Sequence, residues 1–207
     1  MSQSLSCTNF AKRLLDLILV IPAIFLLAPV LVLIGILVYI NFGSPVFFTQ
    51  QRPGLSGKAF RLLKFRTLRN LYDSEGQLIP DEKRITPFGK FLRSISLDEL
   101  PELINVLKGE MSLVGPRPLL MKYLRLYTPK QAQRHLVKPG ISGWAQVNGR
   151  NTITWEQKFD FDIWYVHNLS LWLDLKIIVI TLWKIIRREG ISQQGQATTE
   201  EFKGSQQ

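Results

Sequence analysis

No charged residue occurs between Leu17 and Ile40. A run of that length can cross a bilayer, which takes roughly 20 apolar residues, and a membrane helix is the first expectation. A cleaved signal peptide is not expected. The run exceeds an ordinary signal core, and no small-x-small cleavage pattern precedes a polar mature domain. Two features set the run apart from a plain crossing. Pro29 lies near its centre with Pro22 before it, and proline removes a helical hydrogen bond. Both flanks are also basic: Lys12 and Arg13 on one side, Arg52, Lys58, Arg61, Lys64, Arg66 and Arg69 on the other. Basic flanks stay in the cytoplasm, so both ends are drawn to the same side. A helix that breaks at Pro29 and returns satisfies both observations. A proline-kinked crossing helix satisfies the length. The residues alone leave the two open.

The whole chain of 207 residues suits one domain with appendages. It divides into 1–40 (a polar lead and the membrane helix), 41–191 (a globular domain) and 192–207 (a polar tail expected to be mobile). Within the domain, Val46–Thr49 and Ala59–Thr67 read as the strands of a β-hairpin. Thr86-Pro87 starts a helix with threonine as cap and proline at the first position. Helical patterns follow over 96–109, 119–135 and 155–168, whereas the glycine-rich stretch Pro139–Arg150 reads as irregular. Leu171–Arg188 is an apolar helix with Lys176, Lys184, Arg187 and Arg188 beside Trp172 and Trp183. It suits the membrane interface or an ordinary core equally well.

Charge points to an anionic partner. With 26 Lys+Arg against 16 Asp+Glu, the net charge is +10, which suits nucleic acid, phospholipid headgroups or a phosphorylated substrate. The single cysteine, Cys7, excludes an internal disulfide framework and fits a reducing compartment.

Against that positive background stands Asp98-Glu99, in the stretch Ser94–Asn105. Ser96 followed three residues later by Glu99 fits a capping box. Leu100, Leu103, Ile104 and Leu107 then mark the apolar face of a helix. Adjacent carboxylates among cations also describe a site that holds a metal and an anionic substrate while one carboxylate does chemistry. Two further segments fit such a site. In Gly115-Pro-Arg-Pro118, two prolines stiffen the backbone around Arg117, whose planar fork suits bidentate phosphate recognition. Lys138–Arg150 combines glycines, which let a backbone approach a ligand closely, with a terminal arginine.

Taken together and in order, Lys12-Arg13-x-x-Asp16, Ser-Leu-Asp98-Glu99-Leu-Pro, the run from Asn105 to Pro118, and Lys138-Pro-Gly-Ile-Ser-Gly-Trp-Ala-Gln-Val-Asn-Gly-Arg150 resemble the bacterial sugar transferase family, the monotopic phosphoglycosyl transferases. The resemblance runs from Lys12 to about Phe202 and is nearest to the minimal form that starts protein glycosylation with a diacetylbacillosamine phosphate. It implies transfer of a sugar phosphate, of the N-acetylated hexosamine or bacillosamine type, from a UDP-sugar to undecaprenyl phosphate with release of UMP. It implies Mg2+ as cofactor, Asp98 as metal-bound nucleophile and Glu99 as its catalytic partner. It also implies a re-entrant membrane helix broken at Ala28-Pro29. The fold expected on this basis is mainly α with a small β-hairpin. A re-entrant helix would join a cytoplasmic domain carrying interfacial amphipathic helices, on the cytoplasmic face of the bacterial inner membrane. Lys64, Arg93, Arg117 and Arg150 are the candidates for holding the diphosphate or lipid phosphate, and Arg13 and Asp16 are placed for an i, i+3 pair. Membrane lipids are expected partners, nucleic acid is not, and a homodimer is left open. An anchored nucleic-acid or anionic-lipid binding module would explain the charge and the apolar run but not the paired acids. A polytopic transferase would need more membrane segments than one long run.

Overall fold

The computed structural model describes residues 2–149, 153–187 and 201–205. The first helix, α1 (Ser2–Phe42), runs through Pro22 and Pro29 as one helical element. The interruption expected at Pro29 is therefore not a helix end. In apolar surroundings a helix is the conformation that satisfies the remaining backbone groups even when a proline removes one donor. Val20, Ile24, Leu27, Leu31, Ile34, Val38 and Phe42, spaced three or four residues apart, form a single stripe. The first part of that stripe packs with Phe60, Leu62, Leu103, Val106 and Met111. The second packs with Phe65 and Leu92. The opposite face is apolar and bare: Phe25 and Leu26 are 77% and 80% exposed. The stretch Phe10–Phe42 is long and apolar enough to cross a membrane.

Polar side chains clamp the start of α1 to the domain. Lys12 is buried and lies 2.5 Å from Oδ2 of Asp174 and 3.1 Å from the Tyr165 hydroxyl. That hydroxyl donates to Oδ1 of Asp174 at 2.6 Å. Arg13 and Asp16 do not pair with each other. Arg13 donates to the carbonyls of Val106 and Leu107 at 2.6 and 2.8 Å, near a helix C-terminus where a cation is favoured. Asp16 accepts from the Ser112 hydroxyl and the Leu113 amide.

After α1 the hairpin forms as expected but with a longer first strand. β1 (Phe47–Pro53) and β2 (Ala59–Phe65) are antiparallel, with Gln50 opposite Leu62 and Arg52 opposite Phe60. A short helix, α2 (Asp81–Arg84), precedes α3 (Pro87–Ser94), which Thr86 caps by accepting from the Gly89 amide. The acidic stretch is not one helix. A 3-10 turn (Leu97–Glu99) is followed by α4 (Glu102–Lys108), which ends at Gly109 in the left-handed region. Pro101 explains the split, since proline is tolerated at a helix start and not inside.

β3 (Ser112–Val114) pairs in parallel with β4 (Gly140–Ser142). Between them the expected helix over 119–135 is broken into 3-10 turns (Met121–Leu126 and Gln133–Leu136) and α5 (Pro129–Ala132), which Thr128 starts with a full capping box. The glycine-rich stretch is more regular than expected: β4 is followed by α6 (Trp144–Asn148). Its glycines permit close packing, because a Cβ on Gly140 would sit 2.0 Å from the Gly115 nitrogen. Then come α7 (Trp155–His167) and α8 (Leu171–Arg187). In α8, Leu173, Asp174 and Ile177 are buried, while Trp172, Val179, Leu182, Trp183 and Ile186 are exposed. It thus serves the core along one side and presents a bare apolar side. The C-terminal tail differs from expectation where described: Phe202 is 4% exposed and packed on the domain.

Candidate active site

The acidic turn is built by the geometry of Ser96 and Pro101. Ser96 adopts φ 56° and ψ 23° and makes no capping hydrogen bond, so the expected capping box is absent. The Glu99 side chain, which would have closed it, is engaged elsewhere. Its Oε1 lies 2.7 Å from Lys64 Nζ, and both its oxygens accept from the Arg117 guanidinium. Burial alone would raise the Glu99 pKa, but Arg117 and then Lys64 outweigh it and hold the carboxyl well below the usual range.

Lys64 stands on β2 and Glu99 on the turn before α4, and Asn105 fixes the distance between them. This asparagine is 1% exposed. Its Oδ1 accepts from the Leu63 amide at 3.0 Å, and its Nδ2 donates to the Arg61 carbonyl at 2.7 Å. The side-chain amide thus completes the edge of β2 as another strand would.

Asp98 is the contrast. It is 8% exposed, yet it makes no hydrogen bond or ion pair among the described residues. Burial, and next the charge of Glu99, push its carboxyl up to about 6, with Lys64, Arg93 and Arg117 acting in the other direction. Arg93 contributes that field from α3, where its Nε donates to Thr67 Oγ1 at 2.9 Å. The result is one carboxylate neutralised by two cations beside one that has no partner. A free carboxylate in a positive field can attack phosphorus or bind a metal.

The structure thus brings together Asp98, Glu99, Lys64, Arg93 and Arg117 of the residues expected from sequence. Arg150 lies outside the described residues. Two further residues belong to the cluster and were not expected. Glu102, 2% exposed, has its Oε1 3.2 Å from Lys64 Nζ, and burial and then Glu99 push it up to about 7. In the sequence it resembles any acid in a first helical turn. Arg52 has no acidic partner among the described residues. Its Nη2 donates to Gln50 at 2.7 Å, while its buried Nε is unpartnered. Burial, and next the nearby charge of Arg117, lower its pKa to about 10. Such a guanidinium is placed to take an anion, and its position in a turn-like Arg-Pro-Gly hid it.

The Pro-Arg-Pro loop is held from behind. The Gly140 amide donates to the Pro116 carbonyl at 3.1 Å and the Gly115 amide to the Ser142 carbonyl at 2.8 Å. Arg134, 3% exposed, donates to the Arg117 carbonyl at 2.8 Å and to Asp162 at 2.7 and 3.0 Å.

Comparison with known proteins places the chain in a wider group. The family described as Bacterial sugar transferase matches residues 7–188. The chain is 58% identical over 197 residues to the Uncharacterized sugar transferase EpsL of Bacillus subtilis (strain 168), covering 94% of this chain and 96% of that one. It is 43% identical to the UDP-glucose:undecaprenyl-phosphate glucose-1-phosphate transferase of Xanthomonas campestris pv. campestris, covering 85% of this chain and 39% of that protein. It is 37% identical to the UDP-N-acetylgalactosamine-undecaprenyl-phosphate N-acetylgalactosaminephosphotransferase of Aeromonas hydrophila, covering 86% and 44%. The chain therefore spans nearly all of the first relative and less than half the length of the other two.

Proposed function

Since this chain belongs to the bacterial sugar transferase family, we propose that it moves a sugar phosphate from a UDP-sugar to undecaprenyl phosphate and releases UMP. The observation that carries the catalytic assignment is the unpartnered Asp98 beside the doubly paired Glu99. A carboxylate already bonded to Lys64 and Arg117 is a poor nucleophile, and Asp98 is left to react.

The steps balance without a proton transfer. An Oδ of Asp98 attacks the phosphorus that carries the sugar. The bond from that phosphorus to the bridging oxygen breaks, and UMP leaves with the electron pair. A phosphate oxygen of the lipid then attacks the same phosphorus and displaces the Asp98 carboxylate. Arg117, Arg93 and Arg52 hold the phosphates. Lys64 and Asn105 fix Glu99, which keeps the Arg117 fork in place. Arg150 is assigned by its motif position alone.

The donor set suits Mg2+. No cluster of three His, Cys, Asp or Glu side chains forms a metal cage among the described residues. Mg2+ usually takes only one or two carboxylates together with substrate phosphates, and Asp98 is free to be that ligand. When bound, the ion supplies charge neutralisation at the diphosphate.

The anchors of α1 support a membrane arrangement. Its Lys12 end pairs with Asp174, and its Phe42 end gives its carbonyl to Arg66. Both ends thus rest on one domain. With that domain read as cytoplasmic, as the basic flanks favour, a helix anchored at both ends enters the bilayer and does not cross it. The exposed apolar side of α8 rests at the interface, bringing soluble and lipid substrates together at headgroup depth.

The test is UMP release from a panel of UDP-sugars, N-acetylated hexosamines first, with undecaprenyl phosphate and Mg2+. Lipid-dependent UMP release is expected with at least one donor. No release with any of them would sink the proposal.

A further inference from the structure

The C-terminal residues 201–205 return to the domain and place the ring of Phe202 in an aromatic box. Its centroid lies 5.0 Å from Phe159, 5.5 Å from Trp155, 5.7 Å from Tyr123 and 6.1 Å from Tyr127. Polar contacts fix the segment on both sides of the ring. Lys122 Nζ lies 2.7 Å from both Glu201 carboxylate oxygens, the Phe202 amide donates to the Tyr123 hydroxyl at 3.2 Å, and Gln131 donates to Ser205 Oγ at 2.7 Å.

The back wall of this box is Arg134. Its guanidinium lies over the rings of Tyr127 and Phe159, 5.8 and 5.7 Å from their centroids, and donates to the Tyr127 hydroxyl at 3.3 Å. The same guanidinium donates to the backbone carbonyl of Arg117, and the Arg117 fork rests on Glu99. A continuous set of contacts therefore runs from Phe202, through two rings and a buried arginine, to the acidic turn.

We propose that Phe202 is a positioning residue for the active site: it plugs the aromatic box, keeps Tyr127 and Phe159 against Arg134, and so sets the backbone of Arg117. This rests on the reading of the acidic turn as the reactive centre. The loop that carries Arg117 is braced by two prolines and cannot adjust locally. A change in the Arg134 position is therefore passed to the guanidinium fork, whose bidentate geometry tolerates little error. Without the ring, Tyr127 and Phe159 face a void that close-packed interiors do not leave standing, and they move into it.

The experiment uses the full-length chain in lipid nanodiscs and compares wild type, Phe202→Ala, Phe202→Leu, Arg117→Lys and the Phe202→Ala/Arg117→Lys double variant. Phe202→Ala is expected to raise hydrogen exchange across 119–136 while β1, β2 and α1 keep their protection. It should lower kcat for UMP release by at least about fivefold, with Phe202→Leu recovering most of the loss. Residues acting through one another are non-additive, so on the Arg117→Lys background the same change should cost less than about twofold. Unchanged exchange across 119–136, or a Phe202→Ala loss that multiplies in full with that of Arg117→Lys, would overturn the proposal. If Phe202→Ala does not fold, Phe202→Val, which still leaves much of the box unfilled, carries the same two comparisons. A wild type that releases no UMP from any donor defeats the proposed function, while the exchange comparison still decides whether the plug holds the loop.

Discussion

Lys64 Nζ stands between two carboxylates, 2.7 Å from Glu99 and 3.2 Å from Glu102. One lysine therefore serves two acids, and Glu102 has the weaker share. Glu102 is pushed up to about 7 by burial and then by Glu99, so the folded protein binds a proton there that the unfolded chain releases near its ordinary value of 4.5. Between those two values folding retains the proton, and stability falls as pH rises through the interval. Glu102→Gln has no proton to lose. Melting temperatures of the two proteins from pH 4.5 to 8 should show the wild type falling relative to the variant as pH rises. Parallel curves would place the Glu102 pKa near its usual value.

Asp98→Asn keeps size and removes the anionic oxygen. It should abolish both overall turnover and lipid-independent UMP formation. Sugar-labelled donor, added without lipid, should label wild type on the peptide that contains Asp98 and leave the variant unlabelled. UMP release by Asp98→Asn would show direct transfer.

The same carboxyl sets an acid limit on metal binding. Without a metal it is pushed up to about 6, and an ion bound to it displaces its proton. Mg2+ binding to wild type, followed by calorimetry without substrate, should therefore strengthen as pH rises through about 6 and then level, and Asp98→Asn should show no such rise. A wild-type affinity that is flat from pH 5 to 8 would argue against Asp98 as a metal ligand.

Arg117→Lys preserves charge and loses the fork. Activity should fall at least about tenfold, equal to about 1.4 kcal/mol in transition-state terms. Wild-type rates would make Arg117 peripheral.

Topology is checked by single cysteines at Ser2 and Lys58 after replacement of Cys7. Both should be shielded from a membrane-impermeant thiol reagent in intact cells and labelled once the membrane is permeabilised. Accessibility from opposite sides would mean that α1 crosses the bilayer.

Local signals carried much of the fold. The cap at Thr86, the hairpin and the two last helices depend on neighbouring residues, and their sequence shows them. The capping box at Ser96 failed because Pro101 ends one local pattern and the Glu99 side chain has stronger partners 35 and 18 residues away. Asp98, Glu99 and Arg117 were legible as a group through their motifs. That Glu99 would be saturated and Asp98 free was not, because it depends on the Asn105 contact with β2. Glu102 and Arg52 stayed hidden since burial, which makes them unusual, has no local signature. Phe202 was missed because a lone aromatic residue in a polar segment says nothing about the box that receives it.

The buried pair of Lys12 and Asp174 joins residues 162 positions apart. During synthesis, at roughly 5–20 residues per second, Asp174 follows Lys12 by about 10–30 s. The lysine is thus made well before the partner that buries it. Until α8 exists, the start of α1 carries a bare cation, which favours the headgroup layer over the hydrocarbon. The order of synthesis therefore leaves that cation solvated until the domain closes over it.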